Sequence, residues 1–394
     1  MTHKRIQVVM LGAYPADPAR MRGGVEAAYA YLVKGLVRMN NMDLHILTFK
    51  PNTDQSAAHQ SEANPTFHTL PGYPRFERVR NFSTYQRIVN KYLQEIKPDL
   101  LHAQDAGADA LVAIRSGLPT VVTIHGIRWE DGKHYSSLRQ RLHVFYDSLI
   151  TERYVVSHAR NMIAISPYVT NYFKKNLRPD LEIFYVPNAI DERFFIQDNR
   201  PDQQIVFFAG RVIPRKRVMD LVQAFALVKQ HVPAAQLRIA GETSTEPAYV
   251  DHVKKWVHEA NLDASVFFLG ALPEDQILQG FAACSILALP SAQETLPMVI
   301  AQAMAAGKPV VATRVGGVGE MVSENLLRGF LVNVGDIQNL SKSIVRLLEY
   351  PSLYHRMGQN GRAFARKNYH FESVALHTNE VYQHIALKKE RADD

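Results

Sequence analysis

The stretch PSAQETLPMVIAQAMAAGKPVVAT, residues 290–313, decides how the rest of the chain is read. Glu294 stands in a turn just before Pro297, and a run of small residues follows (Ala301, Ala303, Ala305, Ala306). Gly307 breaks that run, and Lys308 and Pro309 lead into an apolar, β-rich segment. The order is strand end, loop, helix, strand. It sets a helix N-terminus, with free backbone N–H groups, beside a carboxylate at the carboxyl edge of a strand. Such N–H groups suit phosphate oxygens, and a carboxylate suits sugar hydroxyls. A site that holds both fits a nucleotide-sugar.

The same alternation extends in both directions. Short apolar runs predict strands at 6–12, 43–49, 98–104, 120–126, 161–166 and 182–187, then again at 204–210, 236–242, 266–272, 285–291, 309–314 and 329–334. Helical periodicity fits 24–39, 82–96 and 137–157 in the first half, and 217–232, 248–260, 274–283, 297–306 and 337–349 in the second. Continuous apolar strands that alternate with helices imply parallel sheets covered on both faces. The pattern runs twice, so the predicted fold is α/β with two Rossmann-like domains facing across a cleft. The polar stretch around 197–204 separates them, which gives domains at 1–197 and 198–370. A closing helical segment, 371–394, is expected to cross back to the first domain.

Length and composition agree with this. The chain has 394 residues, of which 46% are apolar, enough for two cores. Its single cysteine, Cys284, lies in FAACSILALP and reads as buried filler. With no visible signal peptide and no apolar run near the roughly 20 residues of a membrane span, the expected location is cytoplasmic. The net charge is +7, and residues 1–197 hold 24 basic and 18 acidic side chains, so most of the excess sits in the first half. A basic half can face anionic lipid, acidic saccharide or nucleic acid, or serve solubility alone; peripheral contact with the inner face of a membrane is one expectation among these. The segment 73–99 interleaves Arg75, Arg78, Arg80, Arg87 and Lys91 with Tyr and Phe, and it is a second candidate for such contact beside its reading as a solvated helix. No nucleic-acid recognition module accompanies the charge.

Ligands of open parallel sheets bind beyond the carboxyl ends of the strands. AGRVIPRKRVMDLVQAF places Gly210 at a strand end, then Arg211, then Lys216, then a helix. Two cations at that point suit a diphosphate clamp, Arg giving planar bidentate contacts and Lys a compact charge; the alternative is a solvated basic loop. Arg215 and Arg217 read as solvent or rim. Gly23 and Gly24 open an amphipathic helix, where glycine allows close approach of backbone to ligand. His125 ends a strand before Gly126 and can hydrogen-bond a sugar hydroxyl. The chain lacks G-x-G-x-x-G, a P-loop, a G-x-S-x-G elbow, H-E-x-x-H and any zinc-type Cys/His spacing, so no metal ligands are expected.

Taken together, RGGVE, TIHG, VPNAID, AGRVIPRK, LRIAGE, FLGALPEDQI and the opening stretch resemble the family-4 (group 1) retaining glycosyltransferases of GT-B fold. The resemblance covers nearly the whole chain and is strongest over 205–334. It implies a nucleoside-diphosphate-sugar donor held mostly by the second domain, as a substrate, with no cofactor or bound metal. By resemblance Glu294 holds donor-sugar hydroxyls, Arg211 and Lys216 bind the diphosphate, and His125 lies near the sugar. Gly23 and Gly24 lie under the phosphates, and main chain around Leu269, Gly270 and Leu272 borders the base. The donor set is completed by Gly210, by Thr295, Leu296, Pro297 and Met298 at the helix start, and by Gln302. Two residues depart from the pattern. Gln302 stands where a glutamate grips the ribose diol, and Pro297 where glycine is common. UDP is the first expectation for the nucleotide and GDP the second. The acceptor is expected to be a hydroxyl of a saccharide or lipid-linked saccharide, in polysaccharide biosynthesis. The alternatives are a nucleotide-sugar epimerase or phosphorylase on the same fold, or a catalytically silent nucleotide-binding homologue.

Overall fold

A computed structural model describes residues 5–17, 21, 23–49, 64–71, 76–135, 137–195 and 204–393. The first half forms a seven-stranded sheet: β1 (Ile6–Leu11), β2 (Met42–Phe49), β3 (Thr66–Leu70), β4 (Leu100–Gln104), β5 (Thr120–Ile124), β6 (Asn161–Ala164) and β7 (Glu182–Tyr185). Their order is β3-β2-β1-β4-β5-β6-β7. The second half forms a six-stranded sheet: β8 (Ile205–Ala209), β9 (Gln236–Ala240), β10 (Val266–Gly270), β11 (Ile286–Leu289), β12 (Val310–Thr313) and β13 (Phe330–Val332). Its order is β10-β9-β8-β11-β12-β13.

Every pairing is parallel. Both sheets are doubly wound, and each reverses direction once, between β1 and β4 and between β8 and β11. The crevice beyond the carboxyl ends at such a reversal is the natural ligand position. The central strands β4, β11 and β12 are buried along their whole length, as helices on both faces require.

Differences from the sequence reading sit at edges and loops. β3 was not expected. Its TFHTL carries two polar threonines and a histidine, and only Leu70 is fully buried, because it is an edge strand. Helices Ala108–Arg115 and Pro167–Phe173 were also unforeseen, and both are short. The helix expected over 137–157 is interrupted by a wider π-type turn at Ser148–Glu152. The expected boundary at 197/198 lies outside the described residues.

Among the described residues the chain runs between the two halves at two places. Residues 188–195 make one crossing. The second is made where Tyr369–Phe371 meets Ile190, through Ile190 N–H to Tyr369 O at 2.7 Å and Phe371 N–H to Ile190 O at 3.0 Å. The helix Phe371–Asp393 then packs on the helix Gly24–Met39 of the first half. Gly35 makes that contact possible: a Cβ there would meet Ala375 Cβ and the Phe371 carbonyl oxygen, both at 2.6 Å. A mid-helix glycine costs roughly 0.5–1 kcal/mol relative to alanine, and here it serves close helix packing. Beside it, Asp191 is buried and takes Lys34 Nζ at 2.6 Å and Arg193 Nε at 3.0 Å, while Arg193 also pairs with Glu274 of the second half.

Candidate active site

The second half contributes a carboxylate wedged among cations. Glu294 follows β11 and is 6% exposed. Its Oε1 accepts from Lys216 Nζ at 2.5 Å, and its Oε2 lies 3.7 Å from Arg215 Nη1. Lys216 closes a 3-10 turn, Pro214–Lys216, and the next residue, Arg217, takes a left-handed φ of 50°. This turn aims Lys216 back at the strand ends. Burial pushes the Glu294 carboxyl up, but Lys216 and then Arg215 more than reverse this, holding it below the usual carboxylate range. Burial draws the Lys216 ammonium below the usual lysine range, against the pull of Glu294.

Arg215 corrects the sequence reading, which put it at the solvent or rim. Its side chain is 12% exposed and donates to the Gln293 carbonyl at 2.8 Å and to Gln293 Oε1 at 3.0 Å. It also reaches Asp131 of the first half at 3.5 Å, an ion pair across the cleft. Arg217 instead pairs with Asp220 on its own helix at 2.6 Å. Arg211 is exposed and joins Asp131, His134, Arg215 and Thr245 around a small cavity of about 30 Å³. Burial raises the Asp131 carboxyl above the ordinary range, against the pull of Arg215.

The first half presents His125 beyond β5, 9% exposed. Its Nε2 is 2.8 Å from Gln104 Oε1 and its Nδ1 2.8 Å from Asn188 Oδ1. Both partners are amides that can turn to donate or accept, so a neutral ring is satisfied on both sides. Burial lowers its pKa, against Asp105 and the Asn188 hydrogen bond. The network continues inward. Gln104 reaches His102, which contacts Thr123 Oγ1 at 2.7 Å and, on the C-terminal helix, the Tyr382 hydroxyl at 2.6 Å.

Two helix N-termini meet across the cleft. Gly23 caps Gly24–Met39, and a Cβ on Gly24 would lie 3.4 Å from Met298 Sδ. Met298 begins the helix Met298–Ala305, whose cap is Pro297, so the proline precedes the helical residues and costs no helical hydrogen bond. Thr295, Leu296 and Met298 are all under 9% exposed, and Gln302 is half-buried one turn on. At the other side of the second sheet, Gly270 takes φ 69° and its carbonyl accepts from Gly241 N–H at 2.7 Å. Leu269 is 39% exposed there, with Leu272 half-buried and Gly210 at the end of β8.

The structure thus joins Glu294 directly to Lys216, sets Arg211 and Gly210 on the same edge, and places His125, Gly23 and Gly24 on the opposing edge. The sequence reading missed Arg215, Asp131, Gln104 and Asn188. It also missed Gly317, whose N–H donates to the Thr295 carbonyl at 2.9 Å. The visible signals were the glycine pair in RVGGVGE and the adjacency of Asn188 to a strand end. Among the described residues no cluster of three or more His, Cys, Asp or Glu could hold a metal ion, and no helix is long and apolar enough to cross a membrane.

Comparison with known proteins extends over nearly the full length. Residues 22–194 match the family described as Glycosyltransferase Family 4, and residues 189–364 match Glycosyl transferases group 1. An uncharacterized glycosyltransferase of Methanocaldococcus jannaschii is 24% identical over 92% of this chain and 95% of its own length. Among solved structures, sucrose-phosphate synthase from Thermosynechococcus elongatus superposes with a TM-score of 0.78 at 22% identity, covering 97% of this chain and 99% of that one. Anabaena HepE, solved in complex with UDP and glucose, superposes with a TM-score of 0.74 at 21% identity, covering 96% and 100%. The two facing doubly wound sheets are the GT-B fold, and the chain belongs to the group 1 glycosyltransferases.

Proposed function

We propose that the protein moves a sugar from a nucleoside-diphosphate-sugar to a hydroxyl of a saccharide or lipid-linked saccharide, with retention at the anomeric carbon. The observation that carries this reading is the buried Lys216–Glu294 pair at 2.5 Å, with Arg215 and Arg211 beside it, on the carboxyl edge that faces His125. One molecule with a pyrophosphate and a hexose engages both charges: the cations take the phosphates and the carboxylate takes sugar hydroxyls.

The acceptor oxygen forms its bond to the anomeric carbon on the face from which the phosphate leaves. The bond from that carbon to the phosphate oxygen breaks, and the departing phosphate oxygen receives the acceptor's proton. Lys216, Arg211, Arg215 and the N-termini at Gly24 and Met298 stabilise the charge that grows on the leaving group. Glu294 orients the sugar, and His125, fixed by Gln104 and Asn188, borders it from the first domain. In this reading the chain's own cations provide the charge neutralisation, with no cofactor or metal assigned. UDP is the first choice of nucleotide, supported by the complex of HepE with UDP and glucose. GDP is the second. The location that fits this chemistry is the cytoplasm.

A thermal-shift panel of UDP, GDP, ADP and their sugars tests the donor, because a ligand that binds only the folded state raises its melting temperature. One nucleotide family is expected to stand out, and Glu294→Ala is expected to abolish transfer while the protein stays folded. No shift with any nucleotide, or near-wild-type turnover in Glu294→Ala, would overturn the reading.

A further inference from the structure

A second feature of the first domain has no part in donor binding. The turn 76–82 holds Phe76, Asn81 and Phe82 at left-handed φ values of 61°, 49° and 59°. Non-glycine residues in that region persist only where their surroundings over-determine them. Here the buried Glu77 accepts from Tyr85 N–H at 2.9 Å, Arg115 donates to Asn81, and Arg78 binds Asp147 at 2.7 Å. This bracing presents two apolar side chains to solvent: Phe76 is 74% exposed and Val79 86%.

The helix Leu138–Asp147 lies across from that turn and has no buried residue. Leu138, Leu142, Tyr146 and Leu149 are 70%, 50%, 57% and 44% exposed, and Ile150 is 38% exposed. Their spacing of four, four and three residues puts them on one face. The Arg78–Asp147 pair ties this helix to the turn, and between them opens a cavity of about 720 Å³ lined by Phe76, Val79, Asp105, Arg128 and Asp147.

Most of the outward charges on the turn 76–82 and on residues 137–160 are basic. From Ser137 to Arg160 the only acids are Asp147 and Glu152. Asp147 is shared by Arg78 and Arg128, and the buried Glu152 takes Arg128 N–H and the Ser148 hydroxyl. Glu77 is likewise turned inward. Arg80, Arg139, Arg141 and Arg153 are exposed, Arg80 next to Val79 and Arg139 and Arg141 on the helix that carries Leu138 and Leu142. Apolar side chains interleaved with outward arginines match a surface that is apolar below and anionic above. A two-fold contact with a second copy would instead set these arginines against one another.

We infer that this rim docks on an anionic lipid surface, with Phe76, Val79 and the Leu138–Ile150 stripe entering the headgroup region. The mouth of the 720 Å³ cavity then lies at headgroup level. The inference deepens the transferase reading, resting on it only for taking that cavity as the entrance for a lipid-linked acceptor.

Cosedimentation tests it with two probes, vesicles of phosphatidylcholine alone and of phosphatidylcholine mixed with phosphatidylglycerol. The protein is expected to pellet with the mixed vesicles at low salt, to release as salt rises, and to stay in solution with phosphatidylcholine alone. The variants L142E/L149E and R139E/R141E change exposed positions, so their melting temperatures should match wild type. Each should bind the mixed vesicles at least about tenfold more weakly, since one arginine near such a surface contributes roughly fivefold. Wild type that remains in solution with the mixed vesicles would overturn the inference, as would variants that bind unchanged. So would sedimentation velocity showing a dimer that L142E/L149E dissolves. The nucleotide thermal shift is read separately: vesicle binding without any nucleotide shift defeats the donor reading alone, and the reverse result defeats the lipid surface alone.

Discussion

Gly316 lies against the backbone of Glu294, so close that a Cβ on Gly316 would stand 1.6 Å from the Glu294 carbonyl oxygen. Gly316 also holds φ at 49°. Gly316→Ala must therefore push the 291–297 turn outward and carry the carboxylate away from Lys216. Left-handed backbone costs an alanine about 1–2 kcal/mol, and a displacement of about 1 Å at a site can cost about a hundredfold in rate. The expected result is a folded protein with a lower melting temperature and transfer reduced at least about a hundredfold. Transfer at wild-type rate would show that the carboxylate's position does not matter.

The Lys216–Glu294 pair separates stability from catalysis. Both side chains are under 13% exposed. Removing one partner strands a buried charge, at about 3–5 kcal/mol. Glu294→Ala and Lys216→Ala should each show this loss in urea unfolding, and Lys216→Ala should lower transfer by about 10²–10³. The double variant K216M/E294Q should regain most of the stability and none of the activity. If it were as unstable as either single variant, the pair would not be the source of the loss.

Acid should weaken the first domain through its buried histidines. Burial pushes His102 down to about 3, with His125 as a smaller cause, and it lowers His125 too. Between the ordinary value of about 6.5 and the folded value, the unfolded chain binds more protons, so stability falls as pH falls. Each histidine adds a slope of up to about 1.4 kcal/mol per pH unit below pH ~6.5. Urea unfolding at pH 7 and pH 5 should show this slope, and His102→Gln should remove one histidine's share of it. Equal slopes in the two proteins would assign the acid loss elsewhere.

In the proposed donor site Gln302 meets the ribose diol as a neutral amide, where a carboxylate would bond more strongly. Hydrogen bonds to charged groups are worth about 1.5–3 kcal/mol, against about 0.5–1.5 for neutral ones. Gln302→Glu should tighten nucleoside diphosphate binding by about tenfold in calorimetry. Unchanged affinity would place the ribose away from this helix face.

The contact at Gly35 should tolerate no methyl group. Gly35→Ala gains helix propensity of up to about 1 kcal/mol, but it overpacks against Ala375 and the Phe371 carbonyl, at about 1–3 kcal/mol. Net destabilisation is expected in denaturant unfolding. A more stable variant would mean that the two helices yield easily.

The strands were legible because β8, β11 and β12 carry apolar runs whose type is forced by burial on both faces. β3 was not, because an edge strand with polar residues has no such signature. In the candidate site, His125 was singled out by its place just past a strand end, and Glu294 and Lys216 by the loops that follow β11 and β8. Arg215 could not be assigned from local sequence. It is one of three consecutive basic residues in IPRKR, and only the turn geometry, with φ 50° at Arg217, decides which of them points inward. Asp131 was hidden for a different reason: its partner lies in the other half of the chain, 84 positions away. The inward pairing of Glu77, Asp147 and Glu152 was equally invisible, since a run of mixed charges does not say which sign faces out.

The helix that begins at Phe371 completes the first domain, with Tyr382 against His102 and Ala375 against Gly35. During synthesis, that first domain cannot close over the buried histidine network until residues 371–385 have emerged from the ribosome. Its apolar Gly24–Met39 helix face waits uncovered while the whole second domain is made. Co-translational folding should therefore run out of sequence order, with the second domain reaching its final packing before the first.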